Sequence, residues 1–357
     1  MAKQRKSTDP GGDGEPAPSQ AFAVPAGAVD VASIDTDAAP IGPQSKSDAA
    51  DAMAHLAPRL ARLQERLYAQ STAGETRSVL VILQGMDTAG KDGVISSVLG
   101  MVDPDGVHFA TFKKPTPREL AHDFLWRIEK QVPGAGLIGV FNRSQYEDVL
   151  VARVRELVPK DVWSQRYQAI NDFEQRLTDR HVTVVKCFLH ISRAVQKERL
   201  LARLEDPTKY WKYNPGDVDE RAHWDSYQQV YSDALHRCST AAAPWHILPS
   251  DRKWYRNWAV AALLAQTLEA IDPAYPPPAL DVEVEKEPGR GELNQRLTVG
   301  ARAALPAGPG RARLVRVVAR RRRRGFGRWP ADAARVMFTM AVCTRHRPAP
   351  RGPSSSR

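Results

Sequence analysis

The chain has 357 residues, enough for two domains or for one domain with long appendages. No apolar run approaches the ~18–20 residues a helical membrane span needs, which excludes an integral membrane protein of that kind. The net charge of +10 is unevenly placed: residues 289–357 hold 17 arginines against Glu292 and Asp332, so residues 1–288 stand at −5 and the core is not marked for nucleic acid. The opening MAKQRKSTDPGGDGEP lacks an apolar h-region, so no secretory signal is expected. Cys187, Cys238 and Cys343 are too scattered for a disulfide framework or a zinc site, and a reducing cytoplasm fits them best.

Residues 1–50 are rich in Ala, Gly, Pro, Ser and Asp and read as disordered, because they offer little apolar surface to offset ordering entropy. Patterned sequence begins near Met53, where Leu56, Leu60, Leu63 and Leu67 predict an amphipathic helix to Tyr68. SVLVILQG (78–85) is a continuous apolar run ending in Gly, the pattern of a buried parallel strand. A helix over 90–101, a strand over 107–112, a helix over Thr116–Gln131 and a strand over 136–141 follow. Helical patterns then continue to about Arg180. HVTVVKCFLHI (181–191) is the strongest strand, and Ser192 is placed to cap a helix running to Glu205. Residues 206–216 are polar and turn-rich, 217–237 helical, PWHILP (244–249) a strand and Asp251–Ile271 the last helix. Repeated β-then-α order predicts an α/β fold with helices on both faces of a parallel sheet. From 276 the chain becomes a Pro- and Arg-rich tail, expected to be disordered.

GMDTAGKDG (85–93) sits between an apolar strand and a helix, the context a phosphate loop requires. Gly85 and Gly90 permit the tight turn and the close backbone approach to a phosphate, and Gly93, which ends the motif, is a further candidate for binding it. Lys91 supplies a mobile positive charge beside the positive end of that helix. Asp92 stands where Ser or Thr normally reaches magnesium, and either Asp92 or Asp87 is chemically able to hold that ion.

Five segments occur in order: LQGMDTAGKDG (83–93), FKKPTPRELAHDFLWR (112–127), GVFNRSQYEDVLVARV (139–154), DPTKYWKYNPGDVDERAHWDSY (206–227) and APWHILPSDRKWYRNWAVA (243–261). Together they resemble the polyphosphate kinase 2 family of polyphosphate:nucleotide phosphotransferases, across about residues 51–275. The resemblance implies a thymidylate-kinase-like P-loop kinase, a three-layer α/β/α core with a helical lid. It implies magnesium-dependent transfer between inorganic polyphosphate and AMP/ADP or GMP/GDP, in a cytoplasmic homo-oligomer (dimer or tetramer). Asp87 would hold the metal. Lys91 and the loop N–H groups would bind the transferred phosphoryl.

Asn142 and Arg143 close the strand at 136–141, at the sheet edge where ligands of open α/β sheets bind. Arg143 suits an acceptor phosphate. Many relatives carry Asp at the Asn142 position, where it would help with magnesium, and the Asn form resembles the subgroup that accepts both AMP and ADP; Glu147 and Asp148 are possible replacement metal ligands or simply surface charges. Lys113 and Lys114 end another strand at this edge and read equally as polyphosphate contacts or solvated charges. Arg199, Arg203, Lys209, Lys212 and Arg221 form a basic row suited to a long polyanion, or to a salt-bridged face with Asp206, Asp217 and Asp219. Arg252 and Lys253 begin a helix, where the dipole disfavours cations, which hints at a phosphate. His190 and His223 read as structural. Two alternatives stand beside the leading function: an ATP-dependent nucleoside monophosphate kinase, and nucleic-acid binding through the tail with its arginines 320–324, unless the tail is a shifted reading frame.

Overall fold

The computed structural model describes residues 14–286. Five strands, β1 Ser78–Gln84, β2 Val107–Thr111, β3 Ile138–Asn142, β4 Val182–His190 and β5 Trp245–Pro249, form one parallel sheet in the order β2-β3-β1-β4-β5. β1, β3 and β5 are buried throughout, as parallel strands covered on both faces must be. β1 is central, and Leu83 pairs with Asn142 on one side and Cys187 on the other. The C-terminal ends of β1 and β3 therefore lie side by side, and the chain crosses from one half of the sheet to the other at β1. That is where an open α/β sheet presents its crevice.

The longer helices are α1 Lys46–Ser71, α2 Lys91–Val98, α3 Lys160–Asp179, α4 Arg193–Glu205, α5 Pro215–Ala222, α6 Trp224–Cys238 and α7 Lys253–Ile271. α7 buries residues on nearly all sides, from Tyr255 to Leu268, and packs on α1. α1 contributes Leu60, Leu63 and Leu67 to the core, roughly 1.5–3 kcal/mol for each fully buried leucine. It starts seven residues before the apolar pattern does, because Ser45 and Asp48 form a capping box. Ser192 caps α4 as expected, accepting from Val195 N at 3.1 Å.

Three expectations change. The helix expected over Thr116–Gln131 is two single turns, Pro117–Leu120 and Trp126–Glu129; between them Asp123 Oδ1 accepts from Leu125 N (2.9 Å), a local turn that competes with helix. The helix expected over 217–237 divides at His223, and Asn214 caps a new helix inside the segment expected to be irregular. Residues 14–45, expected to be disordered, lie on the core. Phe22, Val31 and Ile41 are buried, Ile247 N donates to Phe22 O (2.8 Å) and Val24 N to Trp245 O (3.3 Å). The segment is poor in apolar residues on average, but it places three of them well and pairs its backbone with the free edge of β5.

The expected disorder of residues 1–13 and 287–357, with the arginine run 320–324, lies outside the described residues. The chain divides after Pro277; the second part has one described helix, Val282–Lys286, capped by Asp281. Among the described residues no helix is long and apolar enough to cross a membrane.

Candidate active site

Gly85 follows β1 directly with φ 149°, and a side chain there would meet the Leu189 carbonyl oxygen. Gly90 (φ 107°) turns the chain into α2, and a side chain at this position would run into the Arg256 guanidinium. Gly90, Lys91, Asp92 and Gly93 consequently open α2 against a cleft of about 650 Å³. Lys91 lies back across the loop, its Nζ donating to Gly85 O at 2.7 Å. Burial, then the nearby Arg143 charge, pulls the Lys91 pKa below its ordinary value.

β3 delivers Asn142 and Arg143 to the same edge. Asn142 Nδ2 donates to Asp92 Oδ1 (3.0 Å), tying β3 to the first turn of α2. Arg143 adopts φ 66°, a conformation that costs a non-glycine residue energy, and its N–H donates to Leu83 O at 3.0 Å. That turn aims its guanidinium at Asp87 Oδ1 (2.8 Å) and Glu147 Oε2 (3.5 Å). Glu147 is not a surface charge. Burial pushes its carboxyl above the usual range, against the pull of Arg143. Gln84, with its amide oriented to satisfy both ends, donates to Glu147 Oε1 at 3.1 Å and accepts from Ser144 N. The guanidinium is held cationic, by Glu147 first and also by Asp87.

Two further arginines brace the loop through its carbonyls. Arg199 on α4 donates through Nη1 to Thr88 O (2.9 Å) and Ala89 O (3.3 Å), and through Nη2 to Ser250 O (2.7 Å) and Asp251 O (2.8 Å). Arg256 on α7 is 3% exposed and donates to Ala89 O (3.0 Å) and to Asn257 Oδ1. Burial and the proximity of Arg199 lower its pKa to about 10. Sequence reasoning missed Arg256; a charge inside the apolar run WYRNWAVAALL was the available signal. Arg199 was expected to serve polyphosphate, and although it lines the cleft, its donors are occupied by backbone carbonyls.

The rest of the basic row is divided. Arg203 lines the cleft while bonded to Asp217 Oδ2 (2.9 Å) and Lys212 O (2.9 Å). Lys209 and Lys212 line it as exposed side chains, Lys209 beside Asp206 (2.6 Å) and Lys212 over the Trp211 ring. Arg221 points elsewhere, to Arg193 O and Gln196 Oε1. Lys113 and Lys114 also line the cleft, exposed. Arg252 pairs with Asp37 (2.5 Å), whereas its neighbour Lys253 lines the cleft. Trp224 and Tyr227 are buried packing residues. His190 faces Ile34 O and His223 faces Arg155, both away from the cleft.

Ten basic side chains and two carboxylates, Asp87 and Asp92, line the cleft. Among the described residues no group of three or more His, Cys, Asp or Glu is placed to hold a metal ion by itself. Magnesium fits this donor set nonetheless, because it is usually bound through one or two carboxylates plus water and phosphate oxygens.

A family model described as Polyphosphate kinase 2 (PPK2) matches residues 43–276. An AMP/ADP-polyphosphate phosphotransferase of Meiothermus ruber is 48% identical over 65% of this chain and 86% of its own length. An ADP-polyphosphate phosphotransferase of Rhodopseudomonas palustris is 42% identical, over 61% of this chain and 78% of its own. The crystal structure of polyphosphate kinase 2 from Arthrobacter aurescens TC1 has a TM-score of 0.75 and 46% identity, covering 79% of this chain and 98% of that one.

Proposed function

The chain belongs to the polyphosphate kinase 2 family, and we propose that the cleft above β1 and β3 is where it moves phosphoryl groups between inorganic polyphosphate and AMP or ADP. The observation that carries this reading is the excess of ten cations over two carboxylates around one phosphate loop. A compact nucleotide alone does not need that much positive charge; a long polyanion does.

Phosphoryl transfer asks the protein for in-line positioning and for positive charge at the transferring group. Lys91 would leave the Gly85 carbonyl and follow the phosphoryl oxygens. Arg143 would clamp the acceptor phosphate, drawing its bidentate donors away from Asp87 and Glu147. Arg199 and Arg256 hold the Thr88 and Ala89 carbonyls, and the loop N–H groups other than that of Ala89, which Met86 O accepts, would face anions. Lys209, Lys212 and Lys253 would carry the chain of donor phosphates away from the loop. Asp87, with Asp92 beside it, would hold magnesium, which when bound neutralises charge on the phosphate oxygens. Guanine nucleotides as further acceptors, a homo-oligomeric assembly and a cytoplasmic location complete the proposal on the strength of family membership.

The test is incubation of the full chain with polyphosphate and magnesium and each of AMP, ADP, GMP and GDP, with products separated by chromatography. ADP and ATP are expected from AMP. Product formed with ATP as donor and none with polyphosphate would make it a nucleoside monophosphate kinase instead.

A further inference from the structure

Lys186, in the middle of β4, and Glu174, on α3, are both 0% exposed. The Lys186 ammonium donates to Glu174 Oε2 (2.5 Å), to the Tyr146 hydroxyl (2.9 Å) and to the Cys238 carbonyl that ends α6 (2.6 Å). Its three N–H groups are all used. Glu174 Oε1 accepts from the Tyr146 hydroxyl and from Gln145 Nε2, both at 2.9 Å. A buried pair like this is a poor source of stability, because removing both charges from water offsets their attraction and apolar residues often serve as well. What distinguishes this pair is where its bonds end. Gln145 and Tyr146 stand between Arg143 and Glu147.

The turn that carries them, Gln145–Asp148, is a single stretch of 3-10 helix with one side-chain cap, Ser144 Oγ accepting from Tyr146 N at 3.3 Å. Such turns have weak internal hydrogen bonds. Arg143 enters the turn in a left-handed conformation that persists only when its surroundings hold it. We propose that the Lys186–Glu174 pair is a positioning device for phosphoryl transfer: it fixes Gln145 and Tyr146, and thereby the Arg143 and Glu147 side chains that flank them at the cleft edge. The inference rests on the reading that Arg143 serves the acceptor phosphate.

The decisive variant is the double substitution Lys186→Met with Glu174→Gln in the full chain, which removes both charges at nearly constant volume. Below its melting temperature it should show kcat reduced about tenfold, a raised KM for AMP and an unchanged KM for polyphosphate. A kcat loss under threefold overturns the proposal. So does an equal rise in both KM values, which would mean that the whole cleft is deformed. If the double variant does not fold, Tyr146→Phe decides by the same threefold threshold, since it deletes only one hydroxyl. Arg143→Ala measured alongside separates the two ideas. Full activity in that variant defeats the reading of Arg143 and the positioning role with it; an inactive Arg143→Ala beside an active double variant defeats the positioning role alone.

Discussion

The two sides of the cleft use the same kinds of side chain in opposite ways. On the core side Arg199 and Arg256 donate to the carbonyls of Thr88, Ala89, Ser250 and Asp251, and Arg143 is tied to two carboxylates. On the other side, between α4 and α5, Lys209 and Lys212 are exposed and Trp211 is 78% exposed. Charges committed to internal partners shape a loop, whereas charges left in water remain available to a polyanion of variable length. Substitutions on the core side should therefore change turnover, and those on the outer side should change affinity and its dependence on salt.

The largest effect is expected at Lys91, which belongs to the core side and yet must move. Lys91→Ala should reduce kcat by about 10²–10³, the usual worth of one preorganised donor on developing charge, with the melting temperature retained. Turnover within twofold of wild type would remove the phosphate loop from the reaction. The same residue gives a pH signature. Its pKa lies below the ordinary 10.5 because of burial and Arg143, so the cation is lost earlier as pH rises. The alkaline limb of kcat/KM, which reports the free enzyme, should then fall below pH 10.5, and Lys91→Arg should move it upward. An alkaline limb that is identical in both proteins would assign it to another group.

Arg256→Leu is next. It leaves the Ala89 carbonyl with one donor fewer in a buried setting, a loss of about 1–3 kcal/mol. If that loss appears at the loop, kcat should drop about tenfold or more while KM for polyphosphate changes little. A rise in KM with kcat preserved would place Arg256 on the affinity side and blur the division between the two faces.

How far the site was legible follows the same division. The strand–loop–helix that forms the phosphate loop was readable because apolar runs and glycines report local backbone needs directly. Asn142 and Arg143 were readable as the end of a strand. Glu147 stays open in the sequence between a metal ligand and a surface charge, and neither reading foresees its burial behind the left-handed turn at Arg143. Arg199 reads from the sequence as one of a basic row for polyphosphate; it lines the cleft, but its partners are carbonyls distant in sequence, which no spacing reveals. The segment 14–45 was misread because its composition averages out the three residues that dock it. Local pattern predicts elements; it does not predict which elements another segment will touch.

Asn142 tests the acceptor end of the core side. Its amide donates to Asp92 at 3.0 Å, so Asn142→Asp would set two carboxylates in contact and also repel the α-phosphate of AMP, which carries nearly two charges. Repulsion of order 1 kcal/mol or more at a few ångströms in a partly solvated cleft should lower kcat/KM for AMP about tenfold further than for ADP. Equal losses for the two acceptors would show that the substitution disturbs α2 through Asp92 and says nothing about acceptor charge.

The smallest effects belong to the exposed lysines, and their smallness is the point. Lys209 already has Asp206 at 2.6 Å, and Lys212 lies over Trp211, so each adds only partly screened charge to the cleft. Exposed pairs of this kind are worth about 0.2–1 kcal/mol, which corresponds to a rise of roughly 1.4- to fivefold in KM for long polyphosphate on Lys209→Ala or Lys212→Ala. kcat should hold, since neither side chain braces the loop. Raising the salt to about 1 M shortens the screening length to about 3 Å, and the KM of wild type and variant should then converge. Arg203→Ala should differ in kind, because that guanidinium also ties α4 to Asp217 on α5 at 2.9 Å. Its penalty should persist at high salt as lost structure. If the lysine variants keep their deficit in 1 M salt, the outer side is braced as the core side is, and the contrast between the two faces disappears.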